Sequence, residues 1–276
     1  DTQMLNFLYA MNREQFKNLM TKTDIAFLPV SPMEAHGPHL PLSSDVLTAC
    51  KMSEDTARKL QAQGIESLIA TPITYCLADA ASCFPGTITI RFETLSAMVE
   101  DVCTSLAGWG IRKVMLISGH AEGTSIDAIK QGAERVREKY PDFRCFFSEW
   151  FTKGLPLAAH LCRGEHPEWD IHAGEIETSQ IMYIRPEWID MEALKTLKPN
   201  HAAEHFFEKL EAGADNFIDL GAPNTYFGDP AVSTAETGRK LFDIVSDFIL
   251  KEFKDNLMYS ERHDYFILPS EEKTKA

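Results

Sequence analysis

The chain has 276 residues, 44% of them hydrophobic and 25% charged, enough for a substantial core in one large domain spanning residues 1–276. Its 27 Lys and Arg face 41 Asp and Glu, a formal charge of -14, which disfavours polyanion binding through simple phosphate electrostatics. No stretch approaches the roughly 20 consecutive apolar residues of a membrane-spanning helix, so neither nucleic acid nor membrane is an expected partner.

Along the chain, Asp24 to Ser31 is a short apolar run with the character of a buried strand, and Leu42 to Gln63 follows with Leu47, Cys50, Met52 and Leu60 at helical spacing. Leu68 to Ile73 is a second expected strand, and Glu93 to Trp109 an expected helix ending near Gly108 and Gly110. Lys113 to Ser118 is a third strand, followed by an amphipathic helix through about Lys139, and Phe143 to Phe147 is a fourth strand. Between Trp150 and Asp170 the pattern weakens into a loop-rich segment, taken to flank the site. Helices resume at about Gly174 to Ile184, Ala202 to Ala212 and Thr237 to Phe253, and residues 270–276 form a tail. Strands alternating with helices predict an α/β fold, a three-layer α/β/α sandwich with a mostly parallel sheet. In such sheets ligands gather beyond the carboxyl ends of the strands.

The six cysteines (Cys50, Cys76, Cys83, Cys103, Cys145, Cys162) form no Cys-x-x-Cys pair and read as reduced thiols of a cytoplasmic protein. Asp1 to Asn6 lack the basic region and apolar run of a secretory signal.

Two loops concentrate metal-type ligands. In Glu34-Ala-His36-Gly37-Pro38-His39-Leu-Pro41, Glu34 and His36 are two apart and leave an extended backbone on one side. Gly37, Pro38 and Pro41 turn the chain, and Ser43 or Ser44 is placed to cap a helix that returns Asp45 to the pair. His120 and Glu122, after the third strand, repeat that spacing. Glu34, His36, Asp45, His120 and Glu122 suffice for two divalent ions with Asp45 bridging, leaving open positions for water and substrate. Nitrogen and carboxylate donors suit Zn or Mn, with Fe or Ni also compatible. In a third motif, Trp169-Asp170-Ile171-His172-Ala-Gly-Glu175-Ile-Glu177, His172 is the natural proton shuttle. Glu177 reads either as an acceptor orienting a ligand imidazole or as an acid in the first turn of a helix.

These residues resemble the creatininase (creatinine amidohydrolase) family across roughly residues 24–186: Glu34-x-His36-Gly-Pro-His-Leu-Pro with Asp45, then Gly119-His120, then His172-Ala-Gly-Glu-Ile-Glu177-Thr-Ser179. The resemblance implies one ion held by Glu34, Asp45 and His120, the other by His36, Asp45 and Glu122, with a hydroxide between them. Glu122 is similar to the two-metal creatininase version of a motif that many relatives write Gly-His-Gly-Gly-Asn. His172, Glu122 and Glu177 are the expected catalytic groups. The stretch Ala81-Ser82-Cys83-Phe84-Pro85-Gly86-Thr87 resembles the family's substrate loop, giving Ser82, Gly86 and Thr87 as substrate contacts, and Trp150, Trp169 and Asp170 are expected to wall a small substrate. Creatininase itself carries an acid directly before the motif's histidine, where this chain has Ile171. A homo-oligomer, by resemblance a hexamer, is also implied.

The function so expected is hydrolysis of a C–N bond, a metal-bound hydroxide attacking the carbonyl of a small cyclic amide or formamide. Opening of a cyclic keto-sugar, keto-inositol or lactone makes the same demands. Of other classes, a dinucleotide-binding module would place Gly-x-Gly-x-x-Gly where Pro32 to Pro41 stands, and a non-catalytic metal-binding protein would have no use for His172 beside an open site.

Overall fold

The structure, a computed structural model, describes residues 3–258; the expected tail at 270–276 lies outside the described residues. Five strands, β1 (Asn6–Phe7), β2 (Ile25–Pro29), β3 (Leu68–Ile69), β4 (Lys113–Ile117) and β5 (Arg144–Phe147), form one sheet in the order β1-β3-β2-β4-β5. Every pairing is parallel. The helices are α1 (Arg13–Leu19), α2 (Ser44–Gln61), α3 (Phe92–Gly108), α4 (Gly123–Arg135), α5 (Leu155–Ala158), α6 (Glu175–Ile184), α7 (Met191–Thr196), α8 (Phe206–Glu211) and α9 (Ala235–Phe253).

The period of two along a strand sorts side chains between two cores. Ala26 and Leu28 of β2, with Val114 and Leu116 of β4, pack on Leu95, Val99 and Cys103 of α3 and Ala128 and Ile129 of α4. Ile25 and Phe27, with Met115 and Ile117, pack on Met52 and Leu60 of α2 and Phe242, Val245 and Ile249 of α9. Both faces are covered, so β2 is buried throughout and reads as an unbroken apolar run. The result is the expected α/β/α sandwich. No described helix is long and apolar enough to cross a membrane.

Three differences from expectation have local causes. β3 ends at Ile69 rather than Ile73, because Pro72 has no N–H to continue a ladder; Ile73 returns only as an isolated bridge to Val30. The 150–170 segment is not loop throughout: it holds a π turn (Trp150–Gly154), α5 and two 3-10 turns. β1 is two residues long, too short for any period to register, and α1 begins in a capping box between Asn12 and Gln15.

Candidate metal centre

β2 and β4 are neighbours with Pro29 level with Ile117, so the loops that follow them emerge side by side. The Val30 amide donates to the Ile117 carbonyl (2.9 Å) and the Gly119 amide to Ser31 Oγ (2.9 Å), tying one loop to the other. A Cβ on Gly119 would lie 2.4 Å from the Asp45 carbonyl, so only glycine lets this loop approach the first turn of α2. Asp45 sits in that turn, where the positive end of the helix favours a carboxylate. Neither serine caps with its side chain; Ser44 Oγ instead donates to the Pro41 carbonyl (2.7 Å).

The loops bring together all five expected ligands, with Glu177 and His172 beside them. Asp45 presents its two oxygens to different imidazoles, Oδ1 3.0 Å from His36 Nε2 and Oδ2 3.4 Å from His120 Nδ1. Glu34 Oε1 is 3.4 Å from His120 Nδ1 and 3.8 Å from His36 Nε2, and Glu177 Oε2 is 3.6 Å from His36 Nε2. Most of these separations are longer than an optimal hydrogen bond. They match the spacing of neighbouring ligands on one ion: bonds of about 2.1 Å in a tetrahedron put donor atoms about 3.4 Å apart. Donors within 4.8 Å of one another form three sets: Glu34, His120, Glu122; His36, Asp45, Glu177; and Glu34, His36, His172.

Two imidazoles are locked by backbone carbonyls on their outer side. His36 Nδ1 donates to the Glu34 carbonyl and His172 Nε2 to the Ala35 carbonyl, both at 2.9 Å, which turns His36 Nε2 and His172 Nδ1 inward toward the acids. His172 Nδ1 is 3.6 Å from Glu34 Oε1. Among the donors of these sets, both oxygens of Glu34, Asp45 Oδ2 and His120 Nε2 are fully buried and have no hydrogen-bond partner. Such atoms cost about 1–3 kcal/mol each unless something satisfies them, and this donor set fits divalent ions.

The electrostatics agree. Burial raises the Glu34 carboxyl. Burial would lower His36, but Asp45 and Glu177 outweigh it and raise it well above the ordinary value; His120 is raised in the same way by Glu34, Asp45 and Glu122. Burial would raise Asp45, yet His36 and His120 hold it well below the carboxylate range. Protons on two imidazoles thus offset the buried acids, and divalent cations would displace those protons. His172 goes the other way, lowered to about 4 by burial and by the charge on His36, and is neutral at pH 7.

Two glutamates belong to different donor sets, Glu122 with Glu34 and His120, Glu177 with His36 and Asp45. Glu177 Oε2 also accepts the Ala173 amide. Glu122 stands against the far nitrogen of His120, Oε2 to Nε2 3.6 Å, and accepts the amides of Asp79 (3.1 Å) and Ala80 (3.4 Å). Thr87 Oγ1 accepts the Ala35 amide (2.9 Å), bracing the metal loop, and Ser82 Oγ donates to the Asp79 carbonyl (2.7 Å). Gly86, at φ +93°, lies over Leu42.

Two expected substrate walls are instead structural. Trp150 is buried in the core between the sheet and α9, its indole N–H donating to the Ser118 carbonyl (2.6 Å). Asp170 is buried and accepts the Glu175 and Ile176 amides (2.6 and 3.1 Å), holding the start of α6. Trp169 is half-buried and stacks on His166 at 3.9 Å. Sequence reasoning assigned no role to His39 or Thr178, joined at 2.9 Å between the first and third motifs, nor to the positive φ of Ala173 (50°). The first motif's second histidine was the one available signal.

Buried imidazole and carboxylate donors thus form a candidate metal centre beyond the carboxyl edge of a parallel sheet, where an α/β/α fold gathers its ligands. The family model described as creatinine amidohydrolase matches residues 9–253, and the chain belongs to the creatininase family of hydrolases. Among curated proteins it is similar to a mycofactocin precursor peptide peptidase of Mycobacterium ulcerans, 28% identical over 80% of this chain and 82% of that one. It is likewise similar to a creatinine amidohydrolase of Pseudomonas putida, 28% identical over 61% of this chain and 67% of that one. A creatininase crystal structure shares the fold with a TM-score of 0.77 at 20% identity, covering 94% of this chain and 100% of that one. So does a creatininase described as its Mn form, with a TM-score of 0.72 at 20% identity over 91% and 98%.

Proposed function

We propose that this protein is a two-metal amidohydrolase cleaving the C–N bond of a small amide, with Asp45 bridging the ions. The observation that carries the reading is the pair of Asp45 oxygens aimed at two different imidazoles, with His120 and Glu34 on one side and His36 and Glu177 on the other. Glu34, Asp45 and His120 would hold one ion; His36, Asp45 and Glu177 would hold the second. Zn or Mn bound there would polarise a carbonyl and lower the pKa of a water molecule.

The chain's own groups supply the rest. His172 is neutral, with its tautomer set by the Ala35 carbonyl, so Nδ1 accepts a proton from the attacking side and returns it to the leaving nitrogen. Glu122 fixes His120 from outside while gripping the Asp79 and Ala80 amides, which ties the loop carrying Ser82, Gly86 and Thr87 to the centre.

A second reading places the scissile C–N bond in a short peptide. It is favoured by the peptidase relative, which aligns over 80% of this chain against 61% for the creatinine amidohydrolase, and by Ile171 where an acid is expected for creatinine. Metal-characterised protein assayed against cyclic amides, formamides, short peptides, lactones and keto-inositols separates the readings. Turnover confined to lactones or keto-inositols overturns C–N hydrolysis, and turnover that survives complete chelation overturns the role of metal.

A further inference from the structure

His39 and Thr178 come from opposite ends of the site's sequence and meet in its interior. His39 is 1% exposed and Thr178 fully buried, with His39 Nε2 2.9 Å from Thr178 Oγ1. Neither side chain belongs to the donor sets around Asp45. Thr178 Oγ1 in turn lies 3.5 Å from the Ala173 carbonyl, so an Nε2–H on His39 gives a relay in which imidazole donates to hydroxyl and hydroxyl to carbonyl.

Ala173 has particular need of such a hold. It follows His172 directly, has φ 50°, a region that costs a residue with a Cβ about 1 kcal/mol or more, and its amide donates to Glu177. The relay therefore grips the turn that aims His172 on one side and Glu177 on the other. At its far end, His39 is packed so closely against the Gly37 turn that a Cβ on Gly37 would lie 2.5 Å from His39 Nδ1, and His36 immediately precedes that turn. One buried contact thus braces the two segments that carry His36 and Glu177.

We infer that His39 is a positioning residue which, through Thr178, holds the His172-Ala173 turn and Glu177 against His36 and so completes one of the two metal positions. The inference rests on the two-metal reading above. Its expected effect falls on one ion: among the described residues neither His39 nor Thr178 hydrogen-bonds to Glu34 or His120, on the other side of Asp45.

Protein stripped with chelator is titrated with Zn or Mn by calorimetry, with Mn followed also by electron paramagnetic resonance, for wild type, Thr178→Val, Thr178→Ser, His39→Phe and the Val/Phe double variant. The expected result is two ions in wild type and in Thr178→Ser. Thr178→Val and His39→Phe keep one ion at wild-type affinity and bind the other about 10-fold or more weakly, as loss of a group supporting a ligand does. The double variant is no worse than either single one. Thr178→Val is isosteric, so it remains informative if His39→Phe fails to fold. Both ions bound at wild-type affinity in Thr178→Val, or both weakened equally alongside a lowered melting temperature, overturns the inference. Wild-type protein that binds no second ion overturns the two-metal reading, and the inference with it.

Discussion

Two groups of buried carboxylates in this molecule have opposite surroundings. Around the metal loops, Glu34 has no hydrogen-bond partner on either oxygen and Asp45 none on Oδ2. Around the 150–170 segment three buried acids are satisfied by protein: Glu252 by the Ser148 hydroxyl and the Glu149 amide, Glu175 by the Arg163 and Gly164 amides, Asp170 by two amides at the start of α6. Burial is alike in both groups, so burial does not mark function. What marks it is a buried charge whose lone pairs the protein leaves to be met by something else.

The largest expected effect tests the first group. Asp45→Ala should release both ions or weaken them beyond the about 10–100-fold typical for loss of a supporting group, while His172→Ala keeps its metal and loses turnover. Elemental analysis after gel filtration reads this directly, and full metal occupancy in the Asp45 variant refutes the bridge. Next in size, Glu177→Gln should lose or weaken one of two ions, whereas Glu122→Gln keeps both with affinity lowered by about 10-fold. The reverse pattern would restore Glu122 as the ligand and make Glu177 the support.

The smallest effect belongs to the second group and concerns stability with pH. Burial raises Glu252 to about 7 from an ordinary 4.5, against the pull of Ser148 and the Glu149 amide. The folded protein therefore holds a proton there that the unfolded chain releases. The stability this gives is complete below the unfolded value and is lost as pH rises through about 7. Between about pH 5.5 and pH 8 the loss amounts to up to about 2 kcal/mol. Glu252→Gln should flatten that fall in melting temperature and leave metal content unchanged; an unaltered pH profile would show that the carboxyl titrates normally.

Legibility followed the same division. Alternation of strand and helix announced the sandwich, because an apolar run of four to six residues bounded by polar turns has few other uses. Glu34, His36, Asp45 and His120 were readable because spacing along a strand end or a first helical turn fixes where a side chain points within a few ångströms. Trp150 and Asp170 misled. An aromatic or an acid near a catalytic motif has the same letter whether it meets substrate or, as here, the Ser118 carbonyl and the amides opening α6. Glu122 and Glu177 show the limit most sharply. Each lies at the correct spacing from a histidine, and only the folded chain shows that the Asp79–Ala80 loop claims one while the Ala173 turn directs the other to His36.

The sequence by itself determined four of the sheet's strands, their apolar character, the family and most of the donor set, since these depend on local period and on residues close together in the chain. The tertiary structure decided which glutamate faces which imidazole, which nitrogen of each histidine turns inward and which buried acids stay unsatisfied. Those outcomes depend on backbone groups donated from distant segments, and a hydrogen bond to a carbonyl or an amide leaves no trace in the identity of the residue that supplies it.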